Sequence, residues 1–316
     1  MGRINVARLA LAKRETLYLF LKGVAMGAAE VVPGVSGGTI AFITGIYERL
    51  LNAIKSLTPG GLLVLKDRGI VACWQHIDGS FLLVLLLGMA VSILTIAQAI
   101  SVLLHQYPVG LWAFFFGLII ASSLVIGAQI ESWNATPVLF ILLGGLIGLI
   151  VSNAIPIDLE ATPLYVFVGG AIAVCAWILP GLSGSFVLLI LGLYTTVIEA
   201  IRTLDLMLLG ILAVGCIAGL LSFSHFLSHM FKRYRDGTLA TLTGFMLGSL
   251  AKVWPWKHTV SYQLDSRGDQ IPLIQEVVTP DTYVQLTGGD PQLAMAIVLA
   301  LTGFGMVLIL QRITKE

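Results

Sequence analysis

Residues 31–50 read VVPGVSGGTIAFITGIYERL. A proline and a run of glycines interrupt an otherwise apolar stretch, with Glu30 just before the break and Ser36 inside it. Proline removes a backbone donor and glycine lets the chain turn sharply. In hydrocarbon, each freed backbone group costs several kcal/mol unless something satisfies it. Such a break therefore belongs where the backbone is buried in protein or lines a wet cavity.

The whole chain makes hydrocarbon the relevant solvent. Of 316 residues, 57% are hydrophobic and only 11% are charged, against roughly 25% charged in soluble domains. Mean hydropathy is +0.95. These values define a polytopic membrane protein. A net charge of +1 gives no sign of a nucleic-acid partner. Three cysteines supply no disulfide framework: Cys175 and Cys216 fall in apolar segments, and Cys73 reads as loop. The basic start, MGRINVARLALAKRET, followed by an apolar run has the layout of a signal peptide with MGAA as its cleavage site. That run recurs in mid-chain, which argues against its removal.

Apolar segments fall at 16–32, 34–54, 80–104, 110–130, 137–154, 163–179, 182–201, 206–230, 237–252 and 291–311, ten in all. A spanning helix takes about 20 residues, so the short or charged ones resemble arms of helical hairpins. The opening stretch has a duplicate. VVPGVSGGTIAFITGIYERLLNAI (31–54) aligns with ILPGLSGSFVLLILGLYTTVIEAI (178–201), placing Pro33, Gly34, Ser36, Gly37, Gly45 and Tyr47 on Pro180, Gly181, Ser183, Gly184, Gly192 and Tyr194. At the same offset of 147, LYLFLKG (17–23) matches LYVFVGG (164–170). Downstream the offset becomes 127: Tyr107, Gly110, Ala113, Gly117 and Ser122 match Tyr234, Gly237, Ala240, Gly244 and Ser249.

The chain thus reads as an all-α membrane protein of two repeats, 1–155 and 156–316, each of five segments. Five is odd, so the second repeat enters the membrane from the other side. Inverted repeats with broken helices in corresponding positions are a transporter signature, with the site at the repeat interface near the midplane. With the N-terminus in the cytoplasm, inside segments carry twelve basic residues and outside loops four, which supports N-in and C-in. The polar stretch 253–290 is then an outside loop; TVSYQL and EVVTPDTYVQL within it alternate as a small β-hairpin, read as a lid or cap without chemistry.

Helices starting near Ser36 and Ser183 would aim free N–H groups and the positive ends of their dipoles at one central place. Such a place suits phosphate, with hydroxyl donors from Ser36 and Ser183. Pro33, Gly34, Ser36, Gly37, Gly38 and Thr39, with Pro180, Gly181, Ser183, Gly184 and Ser185, are the candidate substrate-binding residues. The competing reading of each motif is a tight helix connection with Ser as N-cap.

These paired motifs, PGVSGGT before GIYERL and ILPGLSGSF before LGLY, resemble the polyprenyl-phosphate transporter family (PopT-like), formerly a bacterial domain of unknown function. The likeness spans nearly the whole chain. It implies translocation of undecaprenyl phosphate across the bacterial cytoplasmic membrane, returning the lipid carrier of cell-wall synthesis to the inner leaflet. The implied partners are the polyprenyl phosphate, surrounding lipids and a coupling proton or sodium ion, with no cofactor. Members often carry an aspartate before the first motif, where this chain has Glu30.

Ionisable residues within membrane segments are functional candidates by default. Glu30 is the coupling candidate: when protonated it no longer repels a phosphate. Its competing role is an ion pair with Lys22 or Arg49. Arg49 suits bidentate phosphate binding, or equally snorkelling at the cytoplasmic face. His225 and His229 share a helical face but lack further ligands for a metal. Trp112, Trp133, Trp254 and Trp256 suit interfacial belts. Two other functions fit parts of the pattern. A lipid phosphatase would need a His or carboxylate base beside its nucleophile, which neither motif contains. A small-anion transporter satisfies the repeat logic as well as a lipid transporter does.

Overall fold

A computed structural model describes residues 2–32, 35–157, 161–264 and 270–315. The first half begins with α1 (Gly2–Glu30), one continuous helix through Met26 and Ala29, both buried. Two short helices follow, α2 (Gly37–Ile43) and α3 (Tyr47–Ser56), then α4 (Pro59–His76), α5 (Gly79–Gln106), α6 (Pro108–Gly127) and α7 (Ala135–Ser152). The second half repeats the order: α8 (Pro163–Ile178), short α9 (Gly184–Ile190) and α10 (Tyr194–Thr203), then α11 (Leu206–Arg233) and α12 (Arg235–Ser249). A hairpin of β1 (Lys257–Leu264) and β2 (Gln270–Val277), the helix α13 (Pro280–Thr287) and the long α14 (Leu293–Lys315) complete the chain. Among the described residues five helices, α5, α6, α7, α11 and α14, are long and apolar enough to span a bilayer, and the bent pair α9–α10 makes a sixth if taken as one span. Many large apolar side chains, Leu94, Leu142 and Leu301 among them, are exposed on these helices, as lipid contact requires.

The ten apolar segments all fall on helices, and the two motif segments are each split in two. The split has one chemistry in both halves. Gly45 and Gly192 adopt positive φ of 72° and 69°. Behind them, Ile46 N–H donates to Ala41 O and Gly45 N–H to Phe42 O, just as Leu193 N–H donates to Leu188 O and Gly192 N–H to Leu189 O. Each set is a Schellman stop, in which a left-handed residue after the helix lets two amides satisfy its last carbonyls. Glycine takes that conformation without the penalty of a Cβ. The α9–α10 axis turns by 108° there.

Helices at matching sequence offsets make matching contacts. Helix α1 packs on α5 as α8 packs on α11, and α6 packs on α14 as α12 packs on α7. The last two contacts cross between the halves. Close approach comes from small residues: Gly144 and Gly148 of α7 lie against Thr241, Phe245 and Gly248 of α12, where a Cβ would run into the facing backbone. Offsets of 147 and 127 are kept by element: α2 and α3 map onto α9 and α10, and α5 onto α11. The twenty residues lost between the offsets correspond to the 18-residue α4 and its flanks.

Three readings need correction. The stretch around Cys73 is not loop but α4, which starts on Pro59 at its first turn and bends at Gly69 (φ 80°); proline at N1 opens helices as readily as it ends them. The β-hairpin holds TVSYQL and the start of EVVTPDTYVQL, but TPDTYVQL turns helical, with Thr279 capping α13 through Thr282 N–H. The tryptophans divide. Trp133 is exposed. Trp112 and Trp256 are buried in the protein rather than in a lipid belt, and Trp254 packs against Trp256 with ring centroids 5.6 Å apart. Trp254 Nε1 donates to Val278 O and Trp256 Nε1 to Pro291 O, both at 2.9 Å, tying the hairpin's ends to the bundle.

One departure from symmetry bears on function. All of Gly37–Ile43 is buried, whereas α9 buries only Gly184 and Phe186. The first pair is gripped by the second half: α3 packs on α11, and Phe42, Tyr47 and Phe231 stack with ring centroids 4.8 to 6.2 Å apart. The second pair contacts mainly its own half through α8 and α11.

Candidate functional site

The two motif copies meet. Ser36 is completely buried; its Oγ accepts from Gly38 N–H and donates to Trp177 O, both at 3.0 Å. Gly181 N–H donates to Thr39 Oγ1 at 3.2 Å, and the Tyr47 hydroxyl donates to Ile178 O at 3.2 Å. At Gly38 a Cβ would strike Ile178 O. The start of α2 is thus laced to backbone 177–181, the stretch that holds the second break. Gly181 sits at φ +84°, and a Cβ there would lie 2.8 Å from Met246 Cα, so this turn requires glycine.

Glu30, the last residue of α1, lies at the centre of this junction. Its Oε1 accepts from Gly37 N–H at 2.6 Å, and the Trp177 side chain hydrogen-bonds the same carboxyl. Trp177 is the residue that occupies Glu30's place in the second repeat. Equivalent positions of the two halves therefore touch.

The other end of α2 is also served by α1. Lys22 Nζ donates to Thr44 O, the carbonyl of the α2 C-cap, at 2.7 Å. Eight residues of α1 separate Lys22 from Glu30, about 12 Å at 1.5 Å per residue, close to the length of a seven-residue helix. The carboxylate faces the positive end of the α2 dipole and the ammonium its negative end. The second half has no such bracket, since Gly169 and Trp177 stand at the equivalent positions.

This arrangement revises the expected free N–H groups at the first break: Glu30 and Ser36 already satisfy them. The second break differs. Ser183 is buried but makes no cap to α9; its Oγ instead pairs with Ser185 Oγ at 2.9 Å. Pro180 and Gly184 are buried beside it, and Ser185 is exposed. Pro33 and Gly34 lie outside the described residues.

The competing reading of Glu30, an ion pair with Lys22 or Arg49, does not hold: Lys22 is on Thr44 O and Glu30 on Gly37 N–H. Arg49 holds Asp78 bidentately at 2.6 and 3.0 Å and stacks over Phe81 at 4.3 Å, at the start of α5 and more than half exposed. Nothing brings it to Ser36 or Ser183. His225 Nδ1 lies 2.8 Å from Leu221 O in its own helix, and no metal-holding cluster occurs among the described residues. Sequence reasoning missed the Lys22–Glu30 bracket and the Trp177 contact. The signal for the first was the eight-residue charge spacing beside a seven-residue helix.

Membrane-length helices enclosing a polar junction where duplicated breaks meet define a multi-pass membrane transporter. The chain belongs to the VCA0040-like family, described as undecaprenyl phosphate translocase-like, whose profile matches residues 26–271. It is 47% identical over 300 residues, 95% of this chain and 97% of the relative, to a protein of Vibrio cholerae named polyprenyl-phosphate transporter. It is 30% identical over 253 residues, 74% of this chain and 85% of the relative, to a Staphylococcus aureus protein of the same name. No solved structure matches the chain. Both names describe transporters rather than enzymes, in keeping with motifs that lack a catalytic base.

Proposed function

We propose that this protein translocates polyprenyl phosphate, as undecaprenyl phosphate, across the bacterial cytoplasmic membrane and returns it to the inner leaflet at the expense of an ion gradient. The observation that carries this reading is the contact of Glu30 with Gly37 and Trp177. It puts an exchangeable anion on the backbone amide that a phosphate headgroup would use. The names of the two relatives supply the substrate class.

The headgroup site comprises Pro33, Gly34, Ser36, Gly37, Gly38 and Thr39 from the first copy with Pro180, Gly181, Ser183, Gly184 and Ser185 from the second. In the resting junction Glu30 holds the place of the phosphate. On protonation its carboxyl no longer repels the headgroup and releases Gly37 N–H, so phosphate enters as the proton does. An inward-directed proton gradient then drives inward movement. Arg49 joins only after leaving Asp78, near the cytoplasmic exit. The long tail stays in lipid throughout, so the protein shelters only the anion.

The halves, 1–155 and 156–316, act as inverted repeats with re-entrant motif pairs, the termini in the cytoplasm and Pro33 and Pro180 near the midplane. The exchange-symmetric packing supports that relation. The fully buried α2 beside the more exposed α9 fits the asymmetry expected of alternating access between inverted repeats.

Proteoliposomes test this reading. Labelled polyprenyl phosphate should cross only with the protein present, and faster with an inward proton gradient. Neutral polyprenol and inorganic phosphate should not cross. Uptake of inorganic phosphate with no lipid movement would convert the protein into a small-anion carrier and overturn the proposal.

A further inference from the structure

A second polar site lies away from the junction, where the hairpin meets the bundle. Lys252 lies beyond the end of α12 and Lys257 opens β1. The Lys257 ammonium donates to Lys252 O and lies 3.4 Å from the centroid of the Trp112 ring. The Lys252 ammonium lies 4.0 Å from the centroid of the Phe186 ring. Both lysines line one cavity of about 60 Å³ with Asn153, Ile155, Phe186 and Gln275. One water requires about 10–15 Å³ on the same measure, so the space suits a group of phosphate size.

The charge balance of this cavity is unusual. Among the described residues no carboxylate lines it, and no ion pair reaches either lysine. Ring faces and a carbonyl offset part of the cost of sheltering two like charges, but a buried cation ordinarily has an anionic partner. Burial pushes Lys252 down to about 8 and Lys257 well below the ordinary lysine value, the latter helped by the charge of Lys252. Other ionisable groups are few on the surrounding elements. His258 and Glu276 flank the lining strand residues, Glu276 exposed, and Asp158 and Glu160 of the neighbouring connection lie outside the described residues. The end of α7, α9 and Trp112 of α6 contribute none.

Two features tie the cavity to the transport path. Phe186 belongs to the second motif, three residues after Ser183. Ile155, on the cavity wall, is 68% exposed and continues to exposed Ile157, an apolar rim that can hold the start of a prenyl chain.

We infer that the Lys252–Lys257 cavity is a second oxyanion site, a vestibule that receives the phosphomonoester headgroup on the hairpin side before it reaches the paired breaks. As the entry to that path, the vestibule rests on the transport reading above. Ammonium groups are mobile point-charge donors, suited to catching and releasing a phosphate rather than fixing its orientation.

The test uses the full chain in nanodiscs, with short-chain polyprenyl phosphate, inorganic phosphate and neutral polyprenol as probes, beside transport in proteoliposomes. Lys252→Gln should weaken polyprenyl phosphate binding about tenfold, the loss of one charge-assisted hydrogen bond. It should raise the transport KM by a similar factor and leave the maximal rate within about twofold. Wild-type affinity should fall as pH rises through about 8, where Lys252 loses its charge, and Lys252→Arg should keep the affinity and remove that fall. Lys257→Gln should act in the same direction; Lys252 alone decides the matter if that variant fails to fold. Loss confined to the lipid identifies a headgroup vestibule, and equal loss for inorganic phosphate identifies a general oxyanion site; either supports the cavity's chemistry. Wild-type binding of both anions by Lys252→Gln would overturn it. Absence of transport by the wild type would instead refute the functional reading, while the nanodisc binding still judges the cavity.

Discussion

Replacing Glu30 by Gln isolates charge at the centre of the junction. The carboxyl accepts from Gly37 N–H at 2.6 Å and hydrogen-bonds the Trp177 side chain. Glutamine keeps an acceptor oxygen of nearly the same reach, so α2 should stay capped. What is lost is the charge at the positive end of its dipole, about 0.3–1 kcal/mol and up to about 2 kcal/mol in part-buried settings. Glu30→Ala loses more: it leaves Gly37 N–H unpartnered in a buried site, at about 1–3 kcal/mol. Glu30→Gln should therefore fold with a Tm a few degrees lower, while Glu30→Ala loses clearly more. The function should change in a different way. A neutral residue 30 neither repels the headgroup nor carries a proton. Headgroup binding should persist, and transport should become indifferent to the proton gradient. The assay is translocation in proteoliposomes with and without an imposed pH gradient, wild type beside variant. A gradient response unchanged in Glu30→Gln would refute the reasoning and leave Glu30 as the structural cap of α2.

The two serines should separate, although they align in sequence. Ser36→Ala removes a buried N-cap and its bond to Trp177 O, costing about 1 kcal/mol or more as well as weakening headgroup binding. Ser183→Ala removes no cap from α9, so thermal unfolding should barely move while binding weakens. Gly192→Ala places a Cβ at φ 69° in the Schellman stop and should cost about 1–2 kcal/mol, read as a lowered unfolding midpoint. Trp177→Phe keeps an aromatic ring, though a smaller one, and deletes the indole N–H; transport should slow while the helical circular dichroism stays constant.

Much of the fold was legible because membrane burial writes it in composition. All ten apolar segments lie on helices, and the breaks before α2 and α9 were legible in the paired Pro-Gly-x-Ser-Gly motifs. The second stops at Gly45 and Gly192 were not, since a lone glycine in an apolar run looks the same inside a helix as after one. The misses have physical causes. Helix α4 hid behind PGG and the charges Lys66, Asp67 and Arg68, features shared by loops and by an amphipathic surface helix. Helix α13 hid because TYVQL alternates as well as it winds, and only the Thr279 cap and Pro280 decide between them. The tryptophans were indistinguishable by composition, since a belt residue and a hairpin anchor both need an apolar face and an N–H partner. At the site, the motif serines and glycines announced a junction. The occupancy of its amides by Glu30, the bracket completed by Lys22 and the diversion of Arg49 to Asp78 depend on which helices face one another. No local pattern carries that information.

The central claim is that a phosphate headgroup displaces Glu30 where the two motif copies meet. The measurement that tests it most directly is a structure of the protein in nanodiscs with a short-chain polyprenyl phosphate, at acidic pH. The account predicts phosphate within hydrogen-bonding distance of Gly37 N–H and the Ser36 and Ser183 hydroxyls, Glu30 withdrawn, and the halves in opposite orientations across the bilayer. Phosphate found only elsewhere, with Glu30 still on Gly37, or halves that cross in the same sense, would contradict it.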